Sequence, residues 1–355
     1  MNMSRKLLLK IVLSLGMASA VTGCGKTDYA LGAVIGQLRL LQAAVPIETA
    51  LDDPNLTQEQ RDKLLFVVRV RDYAEEVIGL NVGASYRKFV KVEDDTLAWN
   101  LSASRKDAFE PYYWRIPVVG MIPYLGYFTL DYSKAERDRL VEQGYDTVIY
   151  ELDAYSTLGL LPDPVTSALL KRGLLQLADT IMHECLHNTI WREGDTNFNE
   201  TMALFVGRAA AVEYLAHEFG EDSALVIEAT QHYEDDLVFR NFLDELRADL
   251  NTIYTSDRPS EEKIQARKPI LEDAGDRFIR EALPLMHDQE SFQIYANFTF
   301  NNAFLLLYVR YGEELGLFEA VHEQTGRNWG QTLDIFRAAA VAPDPYAYLR
   351  EALDR

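Results

Sequence analysis

A chain of 355 residues with 48% hydrophobic and 25% charged residues has enough apolar material for a sizeable core, and too much for a disordered chain. Its formal charge of −20 excludes the clustered basic surface that a nucleic-acid partner requires, and it disfavours adsorption to anionic lipid. Cys24 and Cys185 are the only cysteines, so a disulfide framework is excluded as the source of stability.

The chain opens MNMSRKLLLKIVLSLGMASAVTGC. Arg5, Lys6 and Lys10 precede an apolar run from Ile11 to Val21, too short to span a bilayer and followed by small residues. This is the layout of a secretory signal over residues 1–23. Val21-Thr22-Gly23-Cys24 resembles the bacterial lipobox. That resemblance implies cleavage before Cys24, lipidation of Cys24 and a membrane anchor in the cell envelope. Gly25 in place of an aspartate points to the outer membrane, facing the periplasm.

Residues 24–82 read as helical. Tyr29–Ala50 has apolar residues at helical spacing, with Pro46 marking an end. Asn55–Ile78 follows, with Thr57 as cap and Leu64, Leu65, Val68, Ala74 and Val77 as the apolar stripe. Residues 83–158 are strand-rich: YRKFVKV, TLAWNLSA, YYWRIPVV, GYFTL and DTVIYELDAYST are aromatic and β-branched, and Asp, Gly and Pro separate them. Within this part Ser133–Gln143 reads as a charged helix capped by Ser133. Residues 159–355 read as helical, the first helix starting at Asp163-Pro164. Further helices are expected from Phe198 to Phe219 and near 221–254, 259–281, 286–297, 300–311 and 330–340. No repeat and no long linker is visible, so 24–355 is expected to form one domain of α+β class. A mixed sheet region would be followed by a mainly helical part that carries a histidine-containing helix.

The chemistry concentrates in HECLHNTIWREGDTNFNE, residues 183–200. On a helix, His183 and His187 are one turn apart on one face and can address one metal ion. Glu184 lies beside that face, where a catalytic base would be needed. Two imidazoles need a third protein ligand to leave an open catalytic position. Glu200, thirteen residues after His187, can return on a second helix after the turn at 193–197. The small residues Ala203 and Gly207 share its face and permit close helix approach. Glu200 has an alternative reading as the N3 partner of a capping box begun by Asn197. Asp195 is a candidate acceptor for a histidine ring N–H, or a turn residue; Asn199 is a second candidate supporting residue, and Asp179 a third. Cys185 points away from the histidines and reads as a packed thiol. His217, His232, His287 and His322 read as surface residues. Two imidazoles and one carboxylate suit one Zn²⁺ per chain.

The pattern HExxH with a downstream Asn-Glu pair resembles the gluzincin metallopeptidases. With YAEEVIGL, SYRKFV, YLGYF, DAYSTLG, HECLHNTIW, DTNFNETMA and NNAFLLLYVRY, the chain resembles a bacterial lipoprotein family of zinc aminopeptidases. The resemblance implies a zincin-like fold and a peptide or protein substrate. His183, His187 and Glu200 would be metal ligands and Glu184 the base. Tyr155, in the strand before the catalytic helix, is a candidate for stabilising the reacting carbonyl; Tyr308 and Tyr311 are others, with core packing the commoner role. Two alternatives stay open: an envelope endopeptidase, and a non-catalytic lipoprotein whose zinc holds a helical hairpin together.

Overall fold

A computed structural model of the protein describes residues 39–92, 96–116, 120–152, 162–310 and 314–354. The signal segment, Cys24, Tyr155 and Tyr311 lie outside these residues. The architecture is α+β, with long helices and, among the described residues, three small sheets. Among the described residues no helix is long and apolar enough to cross a membrane.

After a helical segment at 39–43 come strand β1 (Val45–Pro46), a single turn at Ile47–Ala50 and helix α1 (Gln58–Tyr73). Thr57 caps α1 in a full capping box: its side chain accepts from the Gln60 amide, and the Gln60 side chain accepts from its own. The helix widens into a π turn over Ala74–Ile78 and stops at Gly79, whose φ of +84° is open to glycine at no cost.

Strand β2 (Lys88–Val90) pairs antiparallel with β1 and parallel with β8 (Val165–Thr166). Strand β3 (Ala98–Arg105) is the centre of an antiparallel sheet between β6 (Tyr124–Tyr127) and β7 (Tyr145–Leu152); β4 (Trp114–Ile116) and β5 (Gly120–Ile122) form a hairpin. Helix α2 (Leu130–Glu142) packs on the β3–β7 sheet. It starts before Ser133, because strand pairing ends at Tyr127 and Thr129 takes the N-cap position. Ser133 is buried and donates its hydroxyl to Leu130 O.

The expected helix start at Asp163-Pro164 is also corrected. The Asp163 carbonyl accepts from the Tyr86 amide at 2.7 Å, and Val165 and Thr166 are drawn into β8 beside Phe89 and Val90. Pairing with a distant strand outweighs the local Asp-Pro signal. Helix α3 (Leu174–Thr189) therefore begins after Gly173.

The helices that follow are α4 (Thr196–Phe219), α5 (Ala224–Tyr254), α6 (Ser260–Ala266), α7 (Lys268–Glu281), α8 (Asn302–Arg310), α9 (Leu315–Gln324), α10 (Trp329–Val341) and α11 (Pro345–Leu353). The largest core lies between α1, α3, α4, α9 and α10, around Phe66, Ile181, Phe198, Phe318 and Phe336. A second, aromatic core joins α5, α7 and α8 around Phe239, Phe278 and Phe300. Buried Asn302 fastens α8 to the sheet: its amide donates to Asp146 Oδ2 at 3.0 Å, and its Nδ2 to Arg105 O at 2.9 Å. Asp146 also takes a bidentate pair from Arg267, so charge and hydrogen bonds are satisfied together in a buried place.

Candidate metal centre

Helix α3 turns Leu177, Ala178, Ile181, Met182, Cys185 and Leu186 into the main core. That apolar stripe fixes the helix rotation, so His183 and His187 emerge along the face toward α4. The two helices form the most extensive helix pair among the described residues. Gly207 is what lets them approach. A Cβ built there would lie 2.3 Å from Asp179 Oδ1, 3.0 Å from the Asp179 carbonyl oxygen and 3.1 Å from His183 Cβ. Ala203 is fully buried in the same seam. The small-residue face read from the sequence is the contact face.

The pairing brings three donor atoms together. His183 Nε2 and His187 Nε2 are 3.2 Å apart, and Glu200 Oε2 lies 3.4 Å from the first and 3.6 Å from the second. Three ligand atoms held 2.0–2.2 Å from one tetrahedral centre are about 3.4 Å apart, so these spacings fit a single zinc-sized ion. Among the described residues this is the sole group of three His, Cys, Asp or Glu ligand atoms that converges in this way. Burial pushes the Glu200 carboxyl up, but the two imidazoles more than offset that and hold it well below the usual carboxylate range. Glu200 is therefore the anion that a cation needs.

Its alternative role as a cap falls away. The N-cap of α4 is Asp195, whose side chain accepts from the Phe198 amide at 3.1 Å, so Phe198 is N3 and Glu200, two residues further on, is past the capping positions. Asp195 also meets Arg192 Nε at 3.2 Å. Its contacts serve the turn and not a histidine ring. His187 Nδ1 is buried without a hydrogen-bond partner among the described residues. Asn199, fully buried, spans the turn: its Oδ1 accepts from the Arg192 amide at 2.8 Å and its Nδ2 donates to the Arg192 carbonyl at 2.7 Å. It holds the hairpin closed and thereby sets Glu200 against the histidines.

Glu184 is partly buried next to the three donors. Desolvation is the main influence on its carboxyl; His183 pulls it down, Glu200 and Asp163 push it up, and the result is about 7. Asp163, read from the sequence as a helix cap, is instead a buried carboxylate in reach of this base. The buried Tyr86 hydroxyl has no hydrogen-bond partner among the described residues, and Tyr86 holds a φ of 58°, a conformation costly for a bulky residue. Neither residue was read as part of the site, because only the β2–β8 pairing brings them to α3. Cys185 is free and fully buried, and burial pushes its thiol up, as its packed-core reading requires.

Tyr308 packs among Phe239, Phe304 and Tyr295 and shares a hydrogen bond with the Tyr295 hydroxyl at 3.3 Å, the core role rather than the site role. His217, His232 and His287 are exposed, but His322 is not. Its Nδ1 pairs with Thr332 Oγ1 at 2.9 Å and its ring lies 4.2 Å from Trp329, because α10 folds back over α9.

Asp179, four residues before His183, takes a hydrogen bond from the Tyr233 hydroxyl at 3.2 Å. Arg208 lies over the Tyr233 ring and pairs with Asp236, which also pairs with Arg240. This chain of charges ties α3, α4 and α5 behind the site. Burial raises the Asp236 pKa, but the two guanidiniums lower it further, so its folded pKa is depressed. The stabilisation is therefore present above the unfolded value of about 3.9 and is lost as pH falls through the folded value. Asp236→Asn is expected to cost about 2 kcal/mol at pH 7. Urea unfolding should show the gap from the parent closing below about pH 4; a gap independent of pH would remove the ion pairs from the account.

No curated protein and no solved structure matches this chain. A family described as "Putative aminopeptidase" matches residues 28–346, which takes in the α3–α4 hairpin, the sheets and the aromatic core. With that match over nearly its whole length, the chain belongs to this aminopeptidase family.

Proposed function

We propose that the chain is a zinc-dependent peptidase, an aminopeptidase of zincin-like arrangement, with His183, His187 and Glu200 as ligands of one Zn²⁺ and Glu184 as the catalytic base. The observation that carries this reading is the spacing of the three donor atoms, 3.2 to 3.6 Å, with a carboxyl beside them. When bound, zinc would supply Lewis-acid polarisation of the scissile carbonyl and acidify a water beside it.

The protein's own groups do the rest. Glu200 neutralises charge at the site while Asn199 keeps the hairpin shut around it. Glu184 takes the proton of the attacking water and hands it to the departing amine; a carboxyl poised near 7 can both accept and return a proton at neutral pH. The basic and apolar start of the chain and the lipobox-like Val21–Cys24 support export, lipidation of Cys24 and work in the bacterial cell envelope, with residues 24–355 as one catalytic domain.

The test uses the chain from Gly25 onward, assayed on peptides with free and with N-acetylated amino termini. The expected result is one zinc per chain, activity lost to a chelator and restored by zinc, and hydrolysis only of the free peptides. Cleavage of both peptide sets would make the enzyme an endopeptidase. Full activity in metal-depleted protein would remove zinc from the reaction.

A further inference from the structure

At the end of the catalytic helix a large indole is left in solvent. Trp191 is 43% exposed, yet its ring meets His187 edge-on, 5.5 Å between centroids and 77° between planes. Helix α3 stops at Ile190, which turns extended and buries its own side chain. In extended backbone neighbouring side chains point opposite ways, so burying Ile190 turns Trp191 outward, beside the histidine one turn back.

The next residue is held from every side. Asn199 takes both backbone groups of Arg192, and the Arg192 guanidinium donates to Ala340 O, Ala342 O and Pro343 O at 2.9, 2.6 and 3.1 Å and meets Asp195. Trp191 is thus fixed between a core residue and a clamped one. A scattered surface hydrophobe would not be held in this way. A rigid, half-exposed aromatic offers large contact area with little entropy to lose on binding. It stands next to one of the three converging donors.

We infer that Trp191 is a specificity-determining residue: its indole forms the wall of the substrate site next to the metal centre and receives an apolar or aromatic side chain flanking the scissile bond. This rests on the peptidase reading above and deepens it by naming the substrate class. Acidic side chains are repelled by the negative face of the indole, so the preference is for apolar and aromatic residues over acidic ones.

The experiment separates binding from turnover. In Glu184→Gln protein, the probes Phe-Gly-Gly and Gly-Phe-Gly are titrated against Gly-Gly-Gly, following tryptophan emission and heat of binding. At least one phenylalanine peptide should bind tenfold or more tightly than triglycine and change the emission. Adding Trp191→Phe should abolish the emission change while affinity stays within about threefold, because an aromatic wall remains. Trp191→Ala, in the otherwise parental enzyme, should raise KM for the preferred phenylalanine peptide about tenfold, a loss near 1.4 kcal/mol, while kcat and the triglycine KM change less than twofold.

Equal binding of all three probes, an emission change that survives Trp191→Phe, or equal losses for apolar and glycine peptides in Trp191→Ala would overturn the inference. Failure of the peptidase reading has a different signature: the parental enzyme hydrolyses none of the probes, or Glu184→Gln hydrolyses them as fast as the parent.

Discussion

Glu184→Gln is expected to lower kcat by about 10²- to 10⁴-fold, the range lost with a general base, while zinc content and unfolding temperature stay at the parental values. The amide has nearly the shape of the carboxyl and keeps an acceptor oxygen, but it cannot take up a proton at neutral pH. Glu184 lies beside the donor triad and is not one of it, so metal binding has no need of its charge. Burial is the main reason that its carboxyl sits near 7, with Glu200 and Asp163 adding to the effect against His183. Removing one buried carboxyl from this acidic group should leave stability unchanged or slightly raised. Steady-state kinetics, metal analysis and thermal unfolding on the same preparation give the answer. Parental turnover in the variant would refute the role of Glu184, and loss of zinc would show that it helps to hold the ion.

Gly207→Ala is expected to destabilise the protein by about 2 kcal/mol and to weaken zinc binding at least tenfold. Helix propensity alone predicts the opposite sign, since alanine in a helix interior is favoured over glycine by about 1 kcal/mol. The packing decides. The new methyl meets the Asp179 carboxylate, the Asp179 backbone and His183 Cβ together, so no single rotamer change relieves it. Asp179 is itself held by the Tyr233 hydroxyl. Helix α3 must retreat from α4, and both histidines move away from Glu200 with it. Thermal unfolding and zinc titration of the purified variant check both effects. A variant more stable than the parent, with full zinc affinity, would show that the helices have slack here.

The divided outcome at the helix ends shows what kind of information the chain carries locally. Thr57 and Gln60 cap α1 as their spacing predicts, because a capping box is closed by residues three apart and needs nothing else. Asp163-Pro164 has the same kind of signal and fails, because Tyr86 and β2 claim its backbone. The short strand β1 at Val45–Pro46 went unread for the same reason: its partner, Lys88–Phe89, is far along the chain. His322 looked like a surface histidine because nothing in its own neighbourhood foretells Trp329 and Thr332 closing over it.

For the candidate metal centre, the sequence by itself determined that His183 and His187 stand together, since i and i+4 on a helix share a face whatever the fold around them. It also determined that Ala203 and Gly207 would face the partner helix, because their spacing from Glu200 follows the same helical geometry. The tertiary structure removed the cap role of Glu200, by starting α4 at Thr196, and brought its oxygen within 3.4 Å of one imidazole. It alone placed Asp163 and Tyr86 around Glu184, clamped Arg192 and left Trp191 standing beside His187. Those relations depend on contacts between segments far apart in sequence, whereas the motif is written within one turn of one helix.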